Sequence, residues 1–344
     1  MTRRNRPRRR INTTGSRLPR DGRSRLKVTG SADFLAVVPY LLGFHPSESL
    51  VMVLVDSGEL VMTARVDLVP LEFVDVLTER MCDVVSRQEA SGVLLIAYSA
   101  TSWPAGEILD QVAAAMPIAV IDAIHADGSR WWSRCCTSAD CCPPEGTPYR
   151  IDDHPLAAEA VYAGLAAAPG RESLTRMVSG PAATDLAELQ RTARRVRDEL
   201  EVLPRRRRQQ LMESSVRRLL DEAANLTDEE CARLAVLGLD LEVRDIAWAM
   251  MTRFDATRHV DLWHQVVART VPPMELAPLG LLAMAGWISG NGALQVACIE
   301  RMQRLDPGYG LLRLLDDINQ RALPPSWWDE FSGEMRSQLG LARR

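Results

Sequence analysis

Lysine is almost missing from this sequence. Lys27 is the only one in 344 residues, and arginine supplies the rest of the 41 basic side chains. Codon composition accounts for the arginine usage, and the shortage excludes chemistry. A Walker loop needs a Gly-Lys-Ser/Thr step, and Lys27 stands in Leu-Lys-Val. A Schiff-base lysine inside a folded domain is excluded on the same ground. Long apolar runs are also missing, and no stretch approaches the ~20 residues a spanning helix requires. The N-terminal arginines resemble a signal n-region, but no apolar h-region follows. The sequence therefore predicts a cytoplasmic protein with no membrane partner. No Gly-x-Ser-x-Gly elbow, His-Glu-x-x-His pair or EF-hand loop is present, and Gly290-Asn291-Gly292 carries Gln295 where a dinucleotide fingerprint needs its third glycine. No organic cofactor is expected.

What is present is ordinary globular material, 47% hydrophobic and 25% charged. Charge is uneven. Residues 1–27 carry ten Arg, one Lys and one Asp, a net of +10; the whole chain is −4, so residues 28–344 carry −14. Residues 1–26 lack a hydrophobic period and contain Pro7, Gly15, Pro19 and Gly22. They read as a disordered basic arm, able at most to contact nucleic acid non-specifically through phosphates. Arg205–Arg208 reads as a solvated helix face or a second phosphate contact.

Residues 27–150 alternate strands and helices, and predict an α/β domain with a mixed sheet. Ser31 should cap a helix to Leu42. Leu50–Val55 and Leu60–Val66, joined by Asp56-Ser57-Gly58-Glu59, read as a hairpin. Leu71–Arg87 is amphipathic, Gly92–Tyr98 a buried strand, Pro104–Ala115 a crossover helix and Ile118–His125 another strand. Asp127-Gly128 turns into Arg130–Arg134. Residues 151–344 read as an all-α domain of packed helical hairpins, with a capping box at Thr227–Glu230. Within it, residues 275–307 resemble one tetratricopeptide unit, with no second copy at that period.

Two constellations could carry chemistry. His45 lies in Gly43-Phe44-His45-Pro46-Ser47-Glu48-Ser49, between a helix end and a strand, where sites often sit. With Glu48 it could do acid–base work; alternatively its ring donates to a carbonyl and fixes the turn. Cys135, Cys136, Cys141 and Cys142 form a loop of thiols before Pro143-Pro144. Such thiolates could hold zinc, could form a redox pair, or could be small packing residues. Cys82, Cys231 and Cys298 read as core residues.

Four blocks stand in order along the chain: Ala-Asp-Phe-Leu to Ser-Leu-Val (32–51), Arg-Val-Asp-Leu (65–68), Asp-Gly-Ser-Arg-Trp-Trp-Ser through Cys-Cys-Pro-Pro-Glu-Gly-Thr-Pro (127–148), and Pro-Leu-Ala-Ala-Glu-Ala-Val-Tyr-Ala-Gly (155–164). In that order they resemble the actinobacterial family known as domain of unknown function 4192, over residues 27–340, and by that resemblance Cys136, Cys141 and Cys142 match the family's cysteines while Cys135 is an extra. The resemblance implies a fold family and a cytoplasmic bacterial setting, and no reaction. From architecture the expected function is interaction or scaffolding, with the helical domain offering a surface to a protein partner. The alternative is an enzyme with a pocket around His45 at the sheet edge.

Overall fold

The computed structural model describes residues 11–12, 27–28, 30–163, 165–222, 225–339 and 341. The expected basic arm lies outside these residues, except that Ile11–Asn12 (β1) pairs antiparallel with Lys27–Val28 (β2). The chain forms two compact units, Met1–Gly170 and Arg171–Arg344.

The first unit is α/β. Its elements after β2 are α1 (Ser31–Leu42), β3 (Ser49–Asp56), β4 (Glu59–Asp67), a 3-10 turn (Leu71–Phe73), α2 (Val74–Ser86), β5 (Gly92–Tyr98), α3 (Ala105–Ala115), β6 (Ala119–Ala126), β7 (Arg130–Ser133), β8 (Thr147–Pro148) and α4 (Pro155–Tyr162). Six strands form one mixed sheet in the order β4-β3-β5-β6-β7-β8, with β5 and β6 the parallel pair. The β3–β4 hairpin turns on Ser57 and Gly58, both at positive φ, which matches the twist of the two strands.

Alternation along the strands divides the core. Leu50, Met52, Leu54, Val93, Leu95, Ala97 and Ala123 share one face with Val74, Leu77, Met81 and Val85 of α2 and Ile108, Leu109 and Val112 of α3. The intervening residues Val51, Val53, Leu94, Ile96 and Ile124 are equally buried on the opposite face. There α1 crosses the sheet: the Ser31 hydroxyl donates to Asp122 of β6 at 2.7 Å, and the other end of the helix lies near β4. Buried on both faces, β5 reads as an unbroken apolar run.

Two expectations are corrected in this unit. Ser31 does not cap α1; extended Gly30 is the cap residue, without a side-chain bond, and Ser31 is spent on Asp122. Cys82 is half-buried, with its thiol donating to the Ala115 carbonyl at 3.3 Å, whereas Cys231 and Cys298 are core residues as expected. The unit also runs past residue 150, because α4 packs on α1 and the His154 ring reaches Asp33 at 3.3 Å.

The second unit is helical: α5 (Arg171–Met177), α6 (Leu186–Glu201), α7 (Arg205–Glu222), α8 (Asp228–Leu237), α9 (Leu241–Ala249), α10 (Ala256–Arg269), α11 (Leu276–Ile288), α12 (Gly292–Leu305), α13 (Gly310–Gln320) and α14 (Trp327–Gln338). Every residue of α11 from Ala277 to Ile288 is buried. A helix apolar on all sides must be central, and α11 packs against α10, α12 and α13. Tryptophans anchor the rest: Trp328 stacks on Trp248 at 5.5 Å and donates to the Met251 carbonyl, while Trp287 donates to the Leu323 carbonyl. The capping box forms at Thr227 and Glu230 as expected. No described helix is long and apolar enough to cross a membrane.

Candidate functional site

The parallel pair β5 and β6 ends at Tyr98 and Ala126, and the chain leaves both strands through loops at the same end of the sheet. Such strand ends place backbone groups and side chains around a crevice. Here it is a cleft of about 490 Å³ whose walls include Ser102, His125, Asp127, Trp131, Trp132 and Cys142.

His125 and Trp132 are register partners across β6 and β7, so their rings meet face to face at 5.3 Å. Nε2 of His125 lies 3.0 Å from the Ser99 carbonyl. The Trp132 indole donates to the Pro144 carbonyl at 3.1 Å, which draws the cysteine loop over the cleft. Gly146 makes that approach possible: at φ +80° it packs so closely that a Cβ would sit 2.4 Å from the Trp132 ring. Burial raises the Asp127 pKa, but the N–H groups of Arg130 and Ser129 outweigh it and hold the carboxyl below its ordinary value. Arg134 forks onto Asp110 of α3, with Nε donating at 2.8 Å, and closes another wall.

Neither His45 nor Glu48 lines this cleft. The turn holding His45 is fixed by backbone. Gly43 closes α1 in the left-handed region, Ala168 donates to the Gly43 carbonyl at 2.8 Å, and the His45 N–H donates to the Ala168 carbonyl at 2.9 Å. Glu48 supports the cleft from behind. Its carboxylate accepts from the Ser99 hydroxyl at 3.0 Å and the Ala100 N–H at 3.2 Å. The antiparallel register explains this reach, because Ser49 opposes Tyr98. His45 and Glu48 are therefore not brought together as an acid–base pair; Glu48 instead joins Ser99, which His125 also contacts.

The thiol loop gathers three of its four cysteines. The Sγ atoms of Cys136, Cys141 and Cys142 lie within 4.8 Å of one another, with Cys136 and Cys141 at 3.0 Å. The Ser133 hydroxyl, itself donating to Asp122, accepts the Cys136 N–H, and a turn on the Ser138 carbonyl accepts both the Cys141 and Cys142 N–H groups. The hydrogen bond from Cys141 pulls the Cys136 thiol below its ordinary range. Burial, with its two thiol neighbours, pushes Cys142 up to about 12. Cys135 is exposed and outside the cluster. His154 is committed to Asp33 and to capping α4.

His125, Trp131 and Trp132 were not singled out from the sequence. The available signal was the Asp127-Gly128 turn, which pairs β6 with the Trp131-Trp132 strand β7. A family model described as a domain of unknown function (DUF4192) matches residues 32–326. This chain belongs to the DUF4192 family. No curated protein and no solved structure matches it. The DUF4192 match spans both the cleft and the thiol cluster, and its description assigns no reaction to either.

Proposed function

We propose that this DUF4192 protein binds a small, ring-bearing molecule in the cleft at the carboxyl ends of β5 and β6. The cleft itself carries the proposal. Its volume of about 490 Å³ falls among small-molecule sites, and its walls combine aromatic rings with a few polar groups. The Trp132 ring, stacked on His125, offers apolar surface to a planar ligand, and Ser102 and Asp127 offer polar contacts. Binding is favoured over a reaction because the obvious acid–base groups already hold the loops. His125 faces the Ser99 carbonyl, and Asp127 accepts from Ser129 and Arg130.

A thermal-shift panel of heteroaromatic compounds tests this reading. A hit should raise the melting temperature of the full chain. Ser102→Trp, which fills the mouth from an exposed position, should remove the shift without lowering the starting melting temperature. A hit whose shift survives Ser102→Trp would place binding elsewhere and contradict the proposal.

The interaction role expected of the helical unit is a second reading, motivated by exposed Val202, Leu239, Leu241 and Phe254. An open depression in this unit is lined by Gln210, Glu213, Arg217, Arg218 and Asp221 of α7. Capture of one defined protein by the full chain, lost in Val202→Glu with Leu241→Glu, would support this second role.

A further inference from the structure

We infer that Cys136, Cys141 and Cys142 form a soft-metal site, occupied by zinc(II), which takes its fourth ligand from outside the chain. Free cysteine is among the most buried residue types. Here three half-buried or exposed thiols converge on one point instead. In a tetrahedral zinc site with bonds of about 2.3 Å, thiolates stand about 3.8 Å apart. The cluster lies near that value, with one pair at 3.0 Å and all three within 4.8 Å. Adjustment around an ion therefore needs side-chain torsions and little backbone movement.

The loop itself gives the second argument. From Arg134 to Glu145 no residue is buried and no helix or strand forms. Its shape rests on the Ser133 hydroxyl, the Ser138 carbonyl and the Trp132–Pro144 bond. A stretch this polar has no apolar core to order it, and a bound ion supplies one. A Cys136–Cys141 disulfide would use only two of the three sulfurs and leave Cys142 idle. A metal uses all three.

The fourth position follows from what is missing. Among the described residues, no other Cys, His, Asp or Glu joins the group. Three protein ligands with one open position is the pattern of reactive or ligand-exchanging zinc, whereas structural sites are closed by four. Cys142 also lines the cleft, so the cluster borders the space proposed for the ligand. The metal inference stands without that ligand reading. Binding releases the three thiol protons as zinc(II) enters, so affinity should fall as pH drops.

The test uses the full chain purified without chelator. Elemental analysis should find about one zinc per chain. Cys136→Ser, Cys141→Ser and Cys142→Ser should each reduce it to background, while Cys135→Ser keeps it. In the wild-type chain, zinc should shield three thiols from iodoacetamide, which shows occupancy even if a variant misfolds. Cobalt(II) in place of zinc should give tetrahedral visible bands that shift when imidazole is added. Zinc retained in Cys142→Ser would overturn the site. So would a Cys136–Cys141 disulfide with no metal uptake after reduction. Cobalt bands indifferent to imidazole would overturn the open fourth position. Loss of the heteroaromatic thermal shift in a fully zinc-loaded protein would count only against the ligand reading.

Discussion

The Glu48 carboxylate accepts a hydrogen bond from the Ser99 hydroxyl at 3.0 Å, across 51 positions of sequence. That contact ties the turn after α1 to the loop that opens the cleft. Glu48 holds it at φ +42°, a conformation unfavourable for a side chain, so the contact offsets local strain. Glu48→Ala should cost about 1 kcal/mol in urea denaturation, the net worth of such bonding. Glu48→Gly should be no worse, since glycine relieves the torsion. His45→Asn should cost less than about 1 kcal/mol, because the His45 N–H makes the bond to Ala168 and any residue but proline keeps it. A loss of several kcal/mol at His45 would show that its ring holds the turn.

Gly146→Ala should destabilise the first unit by roughly 1–3 kcal/mol, through strain at positive φ and collision with the Trp132 ring. Denaturation followed by tryptophan fluorescence measures it. An unchanged midpoint would mean that the thiol loop moves freely away from Trp132.

In the helical unit, Trp287 is 5% exposed and donates to the Leu323 carbonyl at 2.9 Å. Trp287→Ala should cost about 3–5 kcal/mol. Trp287→Phe keeps most of the packing and should cost clearly less. Equal losses in the two variants would locate the effect in the hydrogen bond alone.

The capping box gives a pH-dependent prediction. The Thr227 N–H, followed by Arg218 and the Thr227 hydroxyl, holds the Glu230 carboxyl below its ordinary range. A depressed folded-state value stabilises the protein above the unfolded value of about 4.3 and loses that contribution as pH falls through the folded value. Glu230→Gln should therefore be less stable than wild type at neutral pH, and the gap should close below about pH 4. A gap that is constant from neutral pH into acid would contradict this.

Local pattern carried most of the fold. Gly92–Tyr98 is recovered to the residue because an uninterrupted β-branched and aliphatic run bounded by Gly and Ser suits a strand buried on both faces. Pro204 restarts a helix at Arg205 because its own N–H is dispensable there. What the sequence hid is contact at a distance. Ser31 looks like a cap, yet its partner is Asp122. Glu48 looks like a companion to His45, yet its partner is Ser99. The division at residue 150 overlooked that α4 returns to α1, a contact with no local signature. The thiol cluster was legible in its members, since the family pattern set Cys135 apart as an extra, and only folding shows that the other three Sγ atoms lie within 4.8 Å of one another.

Eight tryptophans provide eight indole N–H reporters, and three of them, Trp103, Trp131 and Trp132, lie in the first unit. A nitrogen-15 correlation spectrum, recorded while a thermal-shift hit is titrated in, tests the binding cleft most directly. The cleft predicts that the Trp132 indole signal moves in a saturable way while Trp248, Trp263, Trp287 and Trp328 stay fixed. Saturable movement confined to the tryptophans of the helical unit, with Trp132 unmoved, would contradict it.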